Sequence, residues 1–98
     1  MDVVFHLQGV EFEWDVDKAE SNLRKHGVTF EEAAEVFFDP FRQVGDASVN
    51  DDEDRDFVVG YNYVQRLLLV VNTDRGLRTR IISARPATQL ERSLYDSA

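Results

Sequence analysis

Four arginines lie within eleven residues near the end of the chain: Arg75, Arg78, Arg80 and Arg85. The residues around them predict a β-strand, on which Arg78 and Arg80 project from the same face. Two guanidinium groups on one face repel each other unless an anion or carboxylates lie between them. Because a guanidinium donates paired hydrogen bonds to phosphate oxygens, one interpretation is a phosphate-binding cleft. The other is a set of salt bridges to the chain's many acidic side chains.

A second cluster of potential cations, Arg24, Lys25 and His26, ends the first predicted helix. Cations at the C-terminal end of a helix dipole are stabilised by ~0.3–1 kcal/mol each, which alone would explain the cluster. His26 also continues the apolar face of this helix, so a core histidine is a second structural explanation. The catalytic interpretation is that Lys25 or His26 faces a phosphate and that His26 transfers a proton near neutral pH.

Metal and cofactor motifs are missing from the sequence. A calcium loop starting at Asp46 would need Gly at its sixth position and Glu at its twelfth, where this chain has Asp51 and Phe57. With two histidines and no cysteine, a zinc site is not predicted. The glycine-rich nucleotide motifs, the zinc-protease motif and the nucleophile-elbow motif do not occur. We therefore expect neither a metal nor a cofactor.

Charge is distributed unevenly along the 98 residues, whose net charge is -8. Residues 1–56 contain 5 basic and 16 acidic side chains, whereas residues 57–98 contain 6 basic and 3 acidic ones. This asymmetry predicts an arginine face for an anion and an acidic face for a basic partner, although acidic surface also simply favours solubility. The N-terminus has no signal-peptide pattern, and the apolar run at residues 67–71 is too short to cross a bilayer. We expect a cytoplasmic protein with no membrane contact.

The elements that must position these residues follow from hydrophobic periodicity. Residues 3–14 predict a hairpin that turns at Gln8-Gly9. Asp15 is a candidate N-cap for a helix that ends at Gly27, and Thr29 and Glu32 form a capping box that starts a second helix. The inward face of the first helix is predicted to contain Val16, Ala19, Leu23 and His26.

The second half of the chain alternates loops and strands. The acid-rich residues 45–56 predict a loop, followed by strands at 57–61, 66–73 and 78–84. Pro86 suits the first turn of a last helix, with Ala87, Leu90 and Leu94 facing inward. The order ββ-αα-βββ-α predicts one α+β domain over residues 1–98, a small antiparallel sheet with helices packed against it.

Two sets of motifs in this order resemble the BrnT toxin family, and the resemblance covers about residues 10 to 95. The N-terminal set is Phe12-Glu13-Trp14-Asp15, Lys18, Asn22, Lys25-His26-Gly27-Val28, Phe30-Glu31-Glu32-Ala33 and Phe37-Phe38-Asp39-Pro40. The C-terminal set is Arg80-Ile81-Ile82-Ser83-Ala84-Arg85, Ala87-Thr88, Glu91-Arg92 and Tyr95.

The resemblance implies a fold similar to the RelE ribonuclease toxins and RNA cleavage without a metal. It also implies a partner, the ribbon-helix-helix antitoxin BrnA, through which alone the pair binds operator DNA. Our leading hypothesis is attack of a ribose 2′-hydroxyl on the neighbouring phosphate. Arg80 and Arg85 would then stabilise charge, and Lys25 or His26 would carry the proton.

Substrate-binding roles are assigned next to Arg55, Arg78 and Tyr95, with Tyr95 as a stacking or positioning residue. The alternative is a non-catalytic binding module that docks on the repressor and changes its grip on DNA.

Overall fold

A six-stranded sheet organises the chain in the computed structural model, which describes residues 1–48 and 54–97. The order of the strands across the sheet is β1-β2-β6-β5-β4-β3. The strands are β1 (Asp2–Leu7), β2 (Val10–Asp15), β3 (Gln43–Asp46), β4 (Asp56–Tyr61), β5 (Leu67–Arg75) and β6 (Arg78–Pro86). The α-helices are α1 (Val16–His26), α2 (Phe30–Glu35) and α3 (Gln89–Asp96), and a 3₁₀ turn, Val36–Phe38, follows α2.

The α+β class is as predicted, but a wholly antiparallel sheet and the order ββ-αα-βββ-α are wrong. The chain has a fourth strand between the helices, and β2 pairs with β6 in parallel, with Glu11 opposite Arg78 and Glu13 opposite Arg80. Hydrophobic periodicity reports which residues of a strand face the core. It does not report which strand lies beside it or in which direction, because the pairing is made by residues far apart in sequence.

The additional strand β3 lies where the sequence predicted the start of a loop. It is short and lies at the edge of the sheet, and its one large apolar side chain, Val44, is on the exposed face, so the sequence shows no apolar residues at the less exposed positions. Gly45 is required there because a Cβ at this position would collide with the ring of Phe57. Residues 49–53, the middle of the predicted acidic loop, lie outside the described residues.

Helix ends follow the local sequence signals closely. Asp15 caps α1 by accepting from the Lys18 amide at 3.0 Å, and Gly27 ends α1 with a left-handed φ of 68°. Thr29 and Glu32 form the predicted capping box, at 3.1 Å and 2.9 Å. These predictions are confirmed because each signal acts within one turn of helix and needs no tertiary partner.

The inward faces of α1 and α3 differ from the prediction. The buried residue of α1 is Asn22, whereas Leu23 and His26 are exposed, so His26 is not a core histidine. Pro86 ends β6 instead of starting α3, and Thr88 caps that helix. Leu90 and Leu94, both predicted to face inward, are 82% and 42% exposed. Tyr95 is the side chain of α3 that packs against the sheet, and at about 100° per residue neither leucine lies on its side of the helix.

The core has two parts, one on each face of the sheet. Helices α1 and α2 cover one face, where Phe12, Trp14, Phe30 and Leu68 are buried. On the other face, Tyr95 of α3 packs against a smaller cluster that contains Leu67 and Leu69. Strand β5 is therefore covered on both faces, as its five consecutive apolar residues predicted. In the described residues, no helix is both long and apolar enough to span a bilayer.

Candidate phosphate site between helix α1 and strand β6

A cavity of about 210 Å³ lies between the second half of α1 and β6. The chain has two lysines, Lys18 and Lys25, and both of them line this cavity. The lining contains no carboxylate, whereas four other cavities formed by described residues each contain at least one. Its lining residues are Lys18, Ser21, Asn22, Lys25, His26, Ile82 and Ser83.

Helical spacing places the α1 residues on one side of this cavity. Lys18, Ser21, Asn22 and Lys25 stand at positions i, i+3, i+4 and i+7, which lie on one face of a helix. The β6 side is made by an irregularity in the strand. Ile81 is paired with Asn72 and Ser83 with Val71, so the register skips Ile82, which lines the cavity.

Asn22 joins the two sides of the cavity. Its side-chain amide donates to the carbonyls of Ala84 at 2.8 Å and Val28 at 3.1 Å, and its oxygen accepts from the Ala84 amide at 3.1 Å. Strand β2 pairs with β6 only as far as Arg80, so Ala84 lies beyond the reach of that strand. The sequence assigned Asn22 no role, because a single polar residue at a helical position does not report a partner 62 residues away.

Arg78 and Arg80 lie in ion pairs with acidic residues of β1 and β2. Arg80 donates to Glu13 at 2.6 Å and to Asp2 at 3.0 Å, and Arg78 donates to Glu11 at 2.8 Å. The hydrogen bond from Arg80 lowers the pKa of Asp2. The same contacts, first with Asp2 and then with Glu13, raise the pKa of Arg80. Of the two interpretations left open by the sequence, this arrangement matches the salt bridges.

Arg85 forms a separate ion pair with the last helix. Its two terminal nitrogens donate to the two carboxylate oxygens of Glu91, both at 2.7 Å. Glu91 also accepts from the Thr88 amide in the capping box of α3. The hydrogen bond from Arg85 lowers the pKa of Glu91. The structure therefore brings Lys25 and His26 together at one cavity but engages Arg78, Arg80 and Arg85 with carboxylates elsewhere.

Tyr95 and Arg55 lie apart from this cavity lining. The Tyr95 hydroxyl donates to Asp39 at 2.7 Å, and its ring packs edge-on against Tyr61 at 5.2 Å. Burial, and then the Asp39 carboxylate, raise the pKa of Tyr95. Arg55 precedes β4, where its amide donates to the Ser48 hydroxyl at 2.9 Å. Within residues 1–48 and 54–97, no three His, Asp or Glu side chains are grouped as a metal site.

Comparison with known proteins identifies the family. The model of the family described as "ribonuclease toxin, BrnT, of type II toxin-antitoxin system" matches residues 14–91, which is most of the chain. The chain belongs to the BrnT family. The resemblance seen in the sequence motifs is thereby confirmed, and the toxins of this family are ribonucleases that act with an antitoxin.

A solved structure supports the fold of this BrnT protein. The crystal structure of the ribonuclease toxin BrnT from Brucella abortus superposes with a TM-score of 0.59 and 24% sequence identity. The alignment covers 78% of this chain and 94% of that one. No protein of curated function matches the sequence.

Proposed function

We propose that this BrnT protein is an endoribonuclease that cleaves RNA without a metal and binds the scissile phosphate in the cavity between α1 and β6. One observation carries the proposal: in a chain of net charge -8, both lysines and His26 line a cavity that has no carboxylate. Dissolved salt screens the interaction between exposed charges that are more than about 10 Å apart. A local cluster of cations can therefore hold a phosphate despite an acidic surface elsewhere.

The reaction needs a base, an acid and stabilisation of the charge on phosphorus. The 2′-hydroxyl loses its proton to a base and bonds to phosphorus, while the bond from phosphorus to the 5′-oxygen breaks and that oxygen takes up a proton. The products are a 2′,3′-cyclic phosphate and a free 5′-hydroxyl. We assign the proton transfer to His26 or Lys25. Lys18 stabilises the charge on phosphorus, together with Lys25 if His26 transfers the proton. Ser83 forms a hydrogen bond with the phosphate.

The arginines remain candidates for binding phosphate, but each must first release the carboxylate with which it pairs. Arg85 reaches a phosphate only if Glu91 gives up its paired hydrogen bonds, and Arg80 only if both Asp2 and Glu13 do. We therefore rank Lys25 and His26 ahead of Arg80 and Arg85. Arg55 and Arg78 stay proposed substrate-binding residues. Tyr95, for which the sequence predicted the same role, bonds to Asp39 and lines a different cavity, so we no longer propose it as an RNA contact.

Cleavage of a fluorogenic RNA in excess EDTA tests the proposal. We expect Lys25→Ala and His26→Ala each to lower the rate by about 100-fold or more, because positioned acid–base groups contribute about that much. Arg24→Ala is the matched control, since Arg24 is a cation in the same turn that pairs with Glu20 at 2.9 Å. If all three variants cleave like the parent, the site is wrong. If the parent needs added metal, metal independence is wrong.

The proposed partner is a BrnA-type ribbon-helix-helix antitoxin, met in the cytoplasm, through which the protein would reach operator DNA. The alternative is a non-catalytic module that only docks on this repressor, and the pairing of each described β6 arginine with a carboxylate favours it. Expression without the antitoxin separates the two. A ribonuclease arrests growth, and the arrest disappears with His26→Ala, whereas a docking module leaves growth unchanged.

A further inference from the structure

A larger cavity, of about 440 Å³, has the opposite chemistry to the proposed phosphate site. It lies where the residues after α2 meet the end of β4 and α3. Two carboxylates line it, those of Glu35 and Asp39, and its lining contains no lysine, arginine or histidine. Five aromatic rings complete most of the wall: Phe38, Phe41, Tyr61, Tyr63 and Tyr95.

The two carboxylates are held in place by backbone and side-chain donors. Asp39 accepts from the Tyr61 amide at 2.8 Å, the Tyr95 hydroxyl at 2.7 Å and the Phe41 amide at 2.9 Å. Partial burial raises the pKa of Asp39, but these hydrogen bonds outweigh it and the net pKa is lowered. Glu35 accepts from the Tyr63 amide at 3.0 Å. These bonds fix both carboxylates at the cavity; Arg42, which donates to the Asp39 backbone carbonyl at 3.1 Å, is a nearby cation outside the lining.

Two of the aromatic rings are unusually open to solvent. Phe41 is 72% exposed and Tyr63 is 52% exposed. Large exposed rings beside a polar rim are typical of surfaces that bind another molecule. An aromatic face attracts a cation through its quadrupole, and a nearby carboxylate adds a direct ion pair. A phosphate, by contrast, would be repelled by both carboxylates.

We propose that this cavity binds an arginine or lysine side chain presented by a protein partner, with the cationic group between the exposed rings and Glu35. The charge of the lining supports this occupant, because no lysine, arginine or histidine of the lining balances the carboxylates of Glu35 and Asp39. Naming the antitoxin as this partner rests on the proposed function. The recognition of a basic side chain by this cavity does not depend on that function.

A pair of short peptides tests the chemistry directly. One contains a single arginine flanked by glycine and serine, and the other replaces arginine by citrulline, which has nearly the same shape without the charge. Binding is followed by the NMR shifts of the tyrosine rings. We expect saturable shifts at Tyr61, Tyr63 and Tyr95 with the arginine peptide, and at least about threefold weaker binding of the citrulline peptide, as a cation–π contact of moderate strength requires.

Variants locate the binding. Glu35→Gln and Tyr63→Ala should each weaken the arginine peptide by about threefold to tenfold. Glu31→Gln is the matched control, because it removes the same charge from the same helix but does not line the cavity. Equal binding of the two peptides, or equal loss in the control, would overturn the proposal.

Single-stranded RNA separates this inference from the proposed function. If an RNA oligonucleotide shifts the same rings as strongly as the arginine peptide, the cavity is an RNA surface and the inference is wrong; base stacking on Tyr95 would then explain the shifts. RNA cleavage by Glu35→Gln is measured in parallel and should equal that of the parent. If the parent protein cleaves RNA but does not bind the arginine peptide, this inference alone is wrong. If the parent binds the peptide but does not cleave RNA, the proposed ribonuclease activity alone is wrong.

Discussion

Asn22 of α1 makes two hydrogen bonds with the backbone of Ala84 in β6, one as donor at 2.8 Å and one as acceptor at 3.1 Å. The side chain of Asn22 thus bonds to β6 beyond Arg80, where the pairing with β2 has ended and the chain continues as α1. The same contact holds Ser83, the residue before Ala84, beside Lys25 and His26. One buried amide therefore completes the sheet and shapes the candidate phosphate site.

Replacing this amide should destabilise the fold. Asn22→Ala leaves the buried amide and carbonyl of Ala84 without their partner, and each unpaired group costs about 1–3 kcal/mol. We expect the free energy of unfolding in urea to fall by about 2–4 kcal/mol. Ser21→Ala, at the neighbouring position, should change it by less than about 0.5 kcal/mol. Equal stability of the two variants would contradict the role given to Asn22.

Arg85 and Glu91 can be tested against each other, because each variant breaks the same ion pair. Arg85→Ala removes the cation, whereas Glu91→Ala releases it. If Arg85 contacts the substrate phosphate, we expect Arg85→Ala to cleave RNA about tenfold more slowly than Glu91→Ala, since a charge-assisted hydrogen bond contributes on the order of 1.4 kcal/mol. The same cleavage rate in both variants would assign Arg85 to the docking of α3 alone.

Arg80 is expected to stabilise the sheet. Its side chain is 18% exposed and that of Glu13 is 14% exposed, so little solvent screens this pair. A double-mutant cycle with Arg80→Met and Glu13→Gln should give a coupling energy of about 1–2 kcal/mol in thermal unfolding. A coupling near zero, together with lost RNA cleavage in Arg80→Met, would instead support the catalytic role predicted from the sequence.

Acid should weaken the fold through its hydrogen-bonded carboxylates. Asp39 has a folded-state pKa below its ordinary value of 3.8, so it stabilises the native state above that pH and this contribution is lost as the pH falls through the folded-state pKa. Tyr95→Phe should lower the stability by about 1–2 kcal/mol at pH 7, because it removes a hydrogen bond to a charged group.

The pH dependence of that loss identifies its cause. We expect the difference between parent and Tyr95→Phe in urea unfolding to narrow as the pH falls below the ordinary value of 3.8 and through the lowered folded-state pKa of Asp39. Tyr61→Phe is the control, because the Tyr61 hydroxyl accepts from the exposed Arg92, whereas the Tyr95 hydroxyl donates to a carboxylate. A Tyr95→Phe difference that stays constant down to pH 2 would exclude the link to Asp39.

The local signals in the sequence determined both ends of α1, the start of α2 and the family. The left-handed Gly27, the N-cap at Asp15 and the capping box of Thr29 and Glu32 are all present, because each depends on neighbours within a few residues. The period-2 pattern of β2 and the apolar run of β5 likewise identified their buried faces. These features are set by backbone geometry and by the separation of apolar from polar groups.

Long-range contacts decided the strand neighbours and the partners of the charged groups. Whether Arg80 faces a phosphate or a carboxylate depends on β2 lying parallel to β6, which places Glu13 beside it. The role of Asn22 depends in the same way on β2 ending before Ala84. A sequence pattern reports the polarity of each face, but an ion pair or a buried amide needs a partner whose position follows only from the packing of the whole sheet.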